Sequence, residues 1–246
     1  MHPLTTMVVG DVGKGAIGEI SAHLAATLDR ILDKTLELKK AGDPSDLALF
    51  GPFLGRATIE MSLIAITARF DPFRILAIRK SQLAPTFDVT ERNPVAFSWV
   101  NDVLGEGKPK DWDQKPSLKD IQRAILCKHF NDVFWEEAFT ILLDSVPVSR
   151  GANWMTALKR IDPEGFTFFM RTTANRVYAE LSKGIHTEFV IPAAAQYDPV
   201  TVGDLLSRAW ELAAALGITT CYSPVVRSLL ASDPLECYEQ AQEEID

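Results

Sequence analysis

Hydrophobic residues return every three or four positions along most of this chain, which is the spacing of one face of an α-helix. The clearest stripe runs from Ile17 to Leu38, and charged residues fall between its members. Gly42 and Pro44 are expected to end this helix, because glycine readily adopts positive φ and proline cannot continue the backbone hydrogen-bond ladder. The pattern therefore predicts a long amphipathic helix in this segment.

A second predicted helix, from Pro52 to Phe70, is apolar on most of its sides. Pro52 suits a first helical turn, where its missing N–H leaves no bond unmade. A helix that is apolar all round is expected at the centre of a bundle, especially around Ile59 to Ile66. The pairs Asp71-Pro72 and Asn93-Pro94 each combine an N-cap residue with a proline in the first turn, and they predict two further helix starts.

Capping and termination signals predict four more helices in the C-terminal half. The acidic end of the chain, from Glu239 to Asp246, is expected to fray. The first of the four helices, Ile121–Ile141, follows the capping box of Ser117 and Asp120 and ends before Val146-Pro147. The second, Phe166–Leu181, begins after Asp162-Pro163 and ends at Gly184, and the third, Leu205–Leu216, begins after the capping box of Thr201 and Asp204 and ends at Gly217. The fourth is Ser223–Leu230.

Strand patterns are confined to Thr6–Val9 and Glu188–Ile191, two short runs that can form at most a minor two-stranded ribbon. The sequence therefore predicts an all-α fold, a multi-helix bundle of about six to eight helices. Residues 1–246 are expected to form a single helical domain. Residues 105–116, rich in Gly, Pro and mixed charges, are the candidate boundary within it.

Composition excludes several functional classes without selecting one. The 246 residues are 47% hydrophobic and carry a formal net charge of −8, which is typical of a soluble globular protein. A negative chain is repelled by phosphate backbones, so nucleic acid is expected only at a local patch. No run of about 18 apolar residues and no signal-peptide pattern occur, so we expect no membrane association. Three cysteines without paired spacing fit a reducing cytoplasm.

The segment Gly13 to Gly18 matches the G-x-G-x-x-G pattern of dinucleotide-binding loops. Such a loop needs a strand before it and, after its helix, a second strand with an acidic residue for the ribose. Here a further helix follows Pro44 instead. A phosphate-binding loop does not fit either, since Lys14 lacks the required glycine spacing and hydroxyl neighbour. We interpret the segment as a turn leading into a helix, and we expect no cofactor.

Metal-binding and nucleophile patterns are weak in this chain. Its four histidines form no H-E-x-x-H or E-x-x-H pair, and its cysteines form no zinc spacing. His129, Asp132 and Glu136 share one helical face, but a solvated polar face is the commoner cause of such spacing. No G-x-S-x-G elbow occurs. We therefore predict neither a metal site nor a nucleophilic enzyme.

A charge pair on the most apolar helix is a candidate binding site. Arg56 and Glu60 have i,i+4 spacing, and Arg74 follows the end of the same helix together with Arg69 and Asp71. Charges on an apolar helix must be satisfied, either by a structural ion pair or by a ligand. We favour a structural pair, and the alternative is a small-ligand sensor with its pocket near Arg56, Glu60 and Arg74.

The segment from Arg176 to His186 contains Tyr178, the pair Leu181-Ser182, and an apolar residue directly before His186. It resembles the signature of several HEPN-like families, which are helical nucleotide-binding domains of prokaryotic defence and toxin systems. The resemblance implies that this segment ends a long helix of a bundle. Tyr178 and His186 thereby join the charge pair as candidate ligand-binding or partner-binding residues, and the His186 ring is expected to hydrogen-bond a backbone carbonyl or a carboxylate.

HEPN ribonucleases have an Arg and a His separated by four to six intervening residues, where the His would move the proton of an RNA 2′-hydroxyl and the Arg would stabilise the phosphate charge. His186 has no Arg at those positions. Arg123 and His129 have the spacing, but Ala124 occupies a position that is usually polar. The resemblance therefore implies a non-catalytic binding or regulatory module that binds a protein partner or itself, as a subunit of an antiviral or toxin-type assembly. A metal-independent ribonuclease using Arg123 and His129 is the alternative.

Overall fold

The computed structural model describes residues 1–11, 13–41, 43–88, 90, 102–106, 125–147, 149–183, 198–226 and 233–246. Within these residues the chain forms nine α-helices and no strand, which confirms the predicted all-α bundle. Short helices that the hydrophobic pattern does not reveal account for the excess over about six to eight. The helices are α1 Pro3–Val9, α2 Gly15–Ala41, α3 Pro44–Phe70, α4 Pro72–Gln82, α5 Glu137–Ser145, α6 Ala152–Leu158, α7 Phe166–Lys183, α8 Pro199–Cys221 and α9 Pro234–Ile245.

Helix α3 lies at the centre of the bundle, as its apolar pattern predicts. It packs most extensively on α8 and also contacts α2, α7 and α1. Of the described helices, α3 alone is long and apolar enough to cross a membrane, and 56% of its most apolar window is buried inside the protein. A contiguous hydrophobic core joins side chains from all nine described helices.

The starts of two helices, α3 and α8, differ from the sequence predictions. Helix α3 begins at Pro44 and not at Pro52, because Asp43 caps it by accepting a hydrogen bond from the Ser45 N–H at 2.8 Å. Pro52 lies inside the helix and is buried. Helix α8 begins after Asp198, whose Oδ1 accepts from the Thr201 N–H at 2.9 Å, so the predicted start at Thr201 is wrong.

The predicted strand Thr6–Val9 is wrong, because these residues belong to α1. Met7 and Val8 are fully buried where α1 packs on α8 and α9, and this burial outweighs their preference for extended structure. Gly217, predicted to end α8, lies inside it. A Cβ on Gly217 would lie 2.9 Å from Val8 Cγ1, so the glycine permits the close approach of α1.

The acidic C-terminus does not fray. Helix α9 runs from Pro234 to Ile245 and buries one side against α8 and α1. His2 ties this end to α2, since its Nε2 lies 2.9 Å from Asp33 Oδ1 and its Nδ1 lies 3.1 Å from Glu244 Oε2. Tertiary packing therefore orders a segment whose charges alone favour fraying.

Other boundaries follow the sequence signals. Asp71 accepts a hydrogen bond from the Arg74 N–H at 3.0 Å at the start of α4. Asp162 caps a 3₁₀ turn that leads into α7. The predicted helix over 121–141 is irregular where described, with a 3₁₀ turn at Cys127–His129 and a π turn at Asp132–Glu136 before α5 ends at Ser145.

Several segments with sequence predictions lie outside the described residues. They are the helix start at Asn93-Pro94, the capping box of Ser117 and Asp120, the helix end at Gly184, the strand pattern Glu188–Ile191, residues 107–116 of the candidate boundary, and residues 227–230 of the helix predicted after Ser223. The described residues 223–226 of that last segment form a turn and a bend. The organisation as a single domain stays a prediction.

Candidate functional site

Three of the candidate binding residues meet between α3 and α7. The Tyr178 hydroxyl accepts a hydrogen bond from Arg56 Nη2 at 2.5 Å and donates one to Glu60 Oε1 at 2.6 Å. Arg56 and Glu60 themselves approach to 3.8 Å, and the guanidinium carbon lies 4.5 Å from the centre of the Tyr178 ring. The phenol thus bridges the ion pair, and the guanidinium also makes a cation–π contact.

The environment of Tyr178 keeps its hydroxyl protonated. Burial raises the pKa of the phenol, and its hydrogen bond to Glu60 raises it further, while Arg56 opposes the shift. The phenol therefore acts as a neutral donor and acceptor at physiological pH. It is unsuited to nucleophilic or general-base work there, because both require the phenolate.

Arg74, the fourth candidate, lies elsewhere and has a structural role. Its Nη1 lies 2.7 Å from Asp102 Oδ1, and the two side chains are only 11% and 0% exposed. Fourteen residues of α3 separate Arg56 from the helix end at Phe70, a distance of about 21 Å. Arg74 therefore lies beyond the C-terminal end of α3, whereas Arg56 and Glu60 lie within the helix, and a pocket shared by the three stays a prediction.

Arg69 also serves the fold. Its Nη1 donates a hydrogen bond to the Met7 carbonyl at 2.5 Å and lies 3.8 Å from Cys221 Sγ. It thereby satisfies a carbonyl in the last turn of α1, which has no partner within the helix. The close approach leaves room only for hydrogen at Gly10, where a Cβ would lie 3.1 Å from Arg69 Nε.

An exposed apolar patch adjoins the Arg56–Tyr178–Glu60 cluster. Leu49, Phe50 and Phe53 are 68%, 48% and 64% exposed. Leu49 and Phe53 precede Arg56 and Glu60 along the same side of α3, and Phe50 flanks this side one turn before Phe53. We call these five residues the outer stripe of α3. Sequence reasoning missed the patch, although a signal for it is present: the apolar composition of α3 extends over residues 47–54 at its N-terminal end, where Leu49, Phe50 and Phe53 are exposed.

The ribonuclease candidates are only partly described. His129 Nδ1 lies 2.9 Å from Asp132 Oδ2, and both side chains are more than half exposed. Burial raises the pKa of the nearby Glu136, and the charges of Asp132, Glu164 and Asp162 raise it further. Arg123 and His186 lie outside the described residues.

The segment Gly13 to Gly18 begins a helix, as predicted. Gly13 and Gly15 both have φ of +65°, a conformation that glycine adopts without strain, and α2 starts at Gly15. The element before it is α1, whereas a dinucleotide-binding loop would follow a buried strand.

The outer stripe of α3 combines an apolar patch with the Arg56–Glu60 ion pair, which the Tyr178 hydroxyl of α7 bridges. Over the described ranges no three His, Cys, Asp or Glu side chains are grouped to hold a metal ion. Comparison with known proteins found no family model, no curated protein and no solved structure that matches this chain.

Proposed function

We propose that this chain is a non-catalytic helical binding module whose partner docks on the outer stripe of α3. The observation that carries the proposal is the joint exposure of Leu49, Phe50 and Phe53. With about 200 Å² for each such side chain, the patch exposes about 350 Å² of apolar surface. Patches of this size on soluble proteins often mark interaction sites, whereas single exposed apolar residues do not.

The polar end of the stripe suits an interface. Arg and Tyr are enriched at the energetic centres of interfaces, because each combines a large contact area with directional hydrogen bonds. Arg56 and Tyr178 are already held in one geometry by each other and by Glu60. Docking on them would therefore cost little additional side-chain entropy.

The partner that we propose is a second copy of this chain. A two-fold interface places the same patch on both sides, so an apolar patch followed by an Arg and a Glu can match itself. Joining two such patches removes about 700 Å² of apolar surface from water. This burial favours association, and it opposes the repulsion between two chains that each carry a net charge of −8.

Sedimentation velocity over a range of concentrations tests the proposal. We expect the wild-type chain to dimerise as its concentration is raised to about 100 µM. Phe53→Glu should raise the dissociation constant of the dimer at least about tenfold. Phe73→Glu is the matched control, because Phe73 is exposed on α4, away from the stripe. A wild-type chain that stays monomeric, or equal losses from both variants, would refute docking through α3.

The proposal extends to a HEPN-like module in a prokaryotic defence or toxin-type assembly. It is supported by the placement of Tyr178, Leu181 and Ser182 in the last turns of α7, which is a long helix of the bundle. Leu181 is fully buried, and the Ser182 hydroxyl donates to the Tyr178 carbonyl at 2.7 Å. We expect a stable complex with the product of a neighbouring gene; failure of every such pair to copurify would remove this part of the proposal.

One observation favours an alternative, a metal-independent ribonuclease using Arg123 and His129. The His129 ring is exposed, and its hydrogen bond to Asp132 would orient it as a general base. We expect no cleavage of a labelled RNA by the wild-type chain. Cleavage that disappears in His129→Ala, with unchanged unfolding, would establish the alternative instead.

A further inference from the structure

A cavity of about 160 Å³ opens between α6, α7 and α8, on a different side of α7 from Tyr178. Its floor includes Leu158, Met170 and Leu212, all at least 96% buried. An apolar cavity of about 150 Å³ is large enough to take up a molecule of the size of benzene. The floor is therefore suited to an apolar body of the size of a single ring.

Two arginines at the rim of this cavity are held by no hydrogen bond or ion pair within the described residues. Arg176 of α7 and Arg208 of α8 both line it, and neither side chain makes a hydrogen bond or ion pair in the described part of the chain. Arg74 and Arg150 differ in this respect, since carboxylates engage both. In a chain with a net charge of −8, two unpaired guanidinium groups facing one cavity are a focused positive site.

Glu211 is the negative group at the same rim. Burial raises the pKa of its carboxyl group, whereas the neighbouring Arg208 lowers it, and Asp246 adds to the rise. Glu211 makes no hydrogen bond in the described part of the chain, so it does not neutralise either arginine by direct contact. Its charge works against a bound anion, and removing that charge should strengthen anion binding.

We infer that this cavity binds a small organic carboxylate with a ring-sized apolar body. The ring enters between Leu158, Met170 and Leu212, and the carboxylate is held by Arg176 and Arg208. Guanidinium groups suit this role, because their paired N–H donors match the two oxygens of a carboxylate. This inference is independent of docking through α3, since none of the residues that line the cavity belongs to the outer stripe.

Phenylacetate is the probe for this inference, and a ligand-observed NMR titration is the measurement. We expect a Kd on the order of 1 mM for a ligand of this size. The neutral 2-phenylethanol and the cationic 2-phenylethylamine have a similar apolar body. We expect the neutral analogue to bind about tenfold more weakly than phenylacetate and the cation more weakly still, because each lacks the charge that the arginines recognise.

Charge variants then locate the site. Arg176→Gln and Arg208→Gln should each weaken phenylacetate binding about fivefold, with the modest factor reflecting their exposure to solvent. Glu211→Gln should tighten it about threefold. Arg30→Gln is the matched control, because Arg30 is exposed on α2, and it should leave the Kd unchanged. Urea unfolding of the arginine variants should match wild type, since neither side chain makes a hydrogen bond or ion pair with another described residue.

Three results would overturn the inference. The first is an absence of phenylacetate binding up to about 10 mM. The second is equal affinity for phenylacetate and 2-phenylethanol, which would mean that the arginines do not contact the carboxylate. The third is an equal effect of Arg30→Gln and Arg208→Gln, which would indicate general charge attraction without a site.

Discussion

A single methyl group added at Gly51 would test the closest packing between helices α3 and α8. A Cβ at this position would lie 2.3 Å from Cγ1 of Val202. Carbon atoms pack at about 3.5–4.0 Å, so the helices would have to separate by more than about 1 Å. Overpacking costs about 1–3 kcal/mol or more, and the β-branched Val202 cannot easily rotate away. Replacing glycine by alanine also raises helix propensity, which offsets about 1 kcal/mol of this cost. We therefore expect Gly51→Ala to lower the free energy of unfolding by about 2 kcal/mol.

Gly203 provides the control in the same pair of helices. It is adjacent to Val202 in α8, and a Cβ there would meet nothing within 4 Å. Gly203→Ala therefore gains helix propensity without a steric cost, and we expect it to raise the free energy of unfolding by about 1 kcal/mol. Urea unfolding followed by far-UV circular dichroism measures both variants. The same substitution should thus have opposite signs at the two positions.

A double-variant cycle separates a steric clash from other causes of instability. Val202→Ala alone removes buried methyl groups and should cost about 2 kcal/mol. In the double variant the methyl group added at Gly51 enters the vacated space, so we expect a favourable coupling of about 1 kcal/mol. Our reasoning would be refuted if Gly51→Ala were as stable as wild type, or if the two single effects were strictly additive.

Three further substitutions test other contacts. Tyr178→Phe removes the bridging hydroxyl and should lower Tm by a few degrees, for a loss of about 1 kcal/mol; an unchanged Tm would show that the bridge adds no stability. Asp102→Asn removes the carboxylate charge that faces Arg74, where both side chains are largely buried, and should cost about 3 kcal/mol in urea unfolding; a loss below about 1 kcal/mol would show that this charge adds little stability. Burial lowers the pKa of His2, but hydrogen bonds to two carboxylates raise it above its ordinary value of 6.5. The contribution of His2 to the free energy of unfolding should therefore be complete below pH 6.5 and should be lost as the pH rises through the raised pKa. The His2→Asn variant should remove this slope, and an identical slope in the variant would exclude His2 as its cause.

Helix starts can be predicted from the sequence where the signal is local. The capping aspartate and the proline at Asp71-Pro72 adjoin each other in sequence, and they begin α4 as expected. Pro52 and Gly217 are misleading for the same reason, because local preferences make both residues helix breakers. In the fold, Pro52 is buried inside α3, and Gly217 admits α1 against α8. These roles depend on neighbours that are distant in sequence.

The candidate site shows the same division between local and distant information. The spacing of Arg56 and Glu60 predicts their pairing because four residues place them on one side of a helix. The position of Tyr178 between them joins residues 122 positions apart, which no local pattern reveals. The cavity near Arg176 and Arg208 depends in addition on α6, a helix of seven residues that is too short to produce a clear hydrophobic period.

The N-terminal half of α3 places Gly51 and Gly55 inside, beside the buried Leu54, and leaves Leu49, Phe50 and Phe53 exposed. Gly51 and Gly55 face α8 and α7, where a Cβ on Gly55 would lie 2.9 Å from Leu181 Cδ1. Leu49 and Phe53 point the other way, into solvent. A helix that only had to cover a core would show the reverse arrangement, since large apolar side chains gain most from burial. The glycines account for the closeness of the inner contacts, and the partner surface that we propose would account for the large apolar side chains on the outer side.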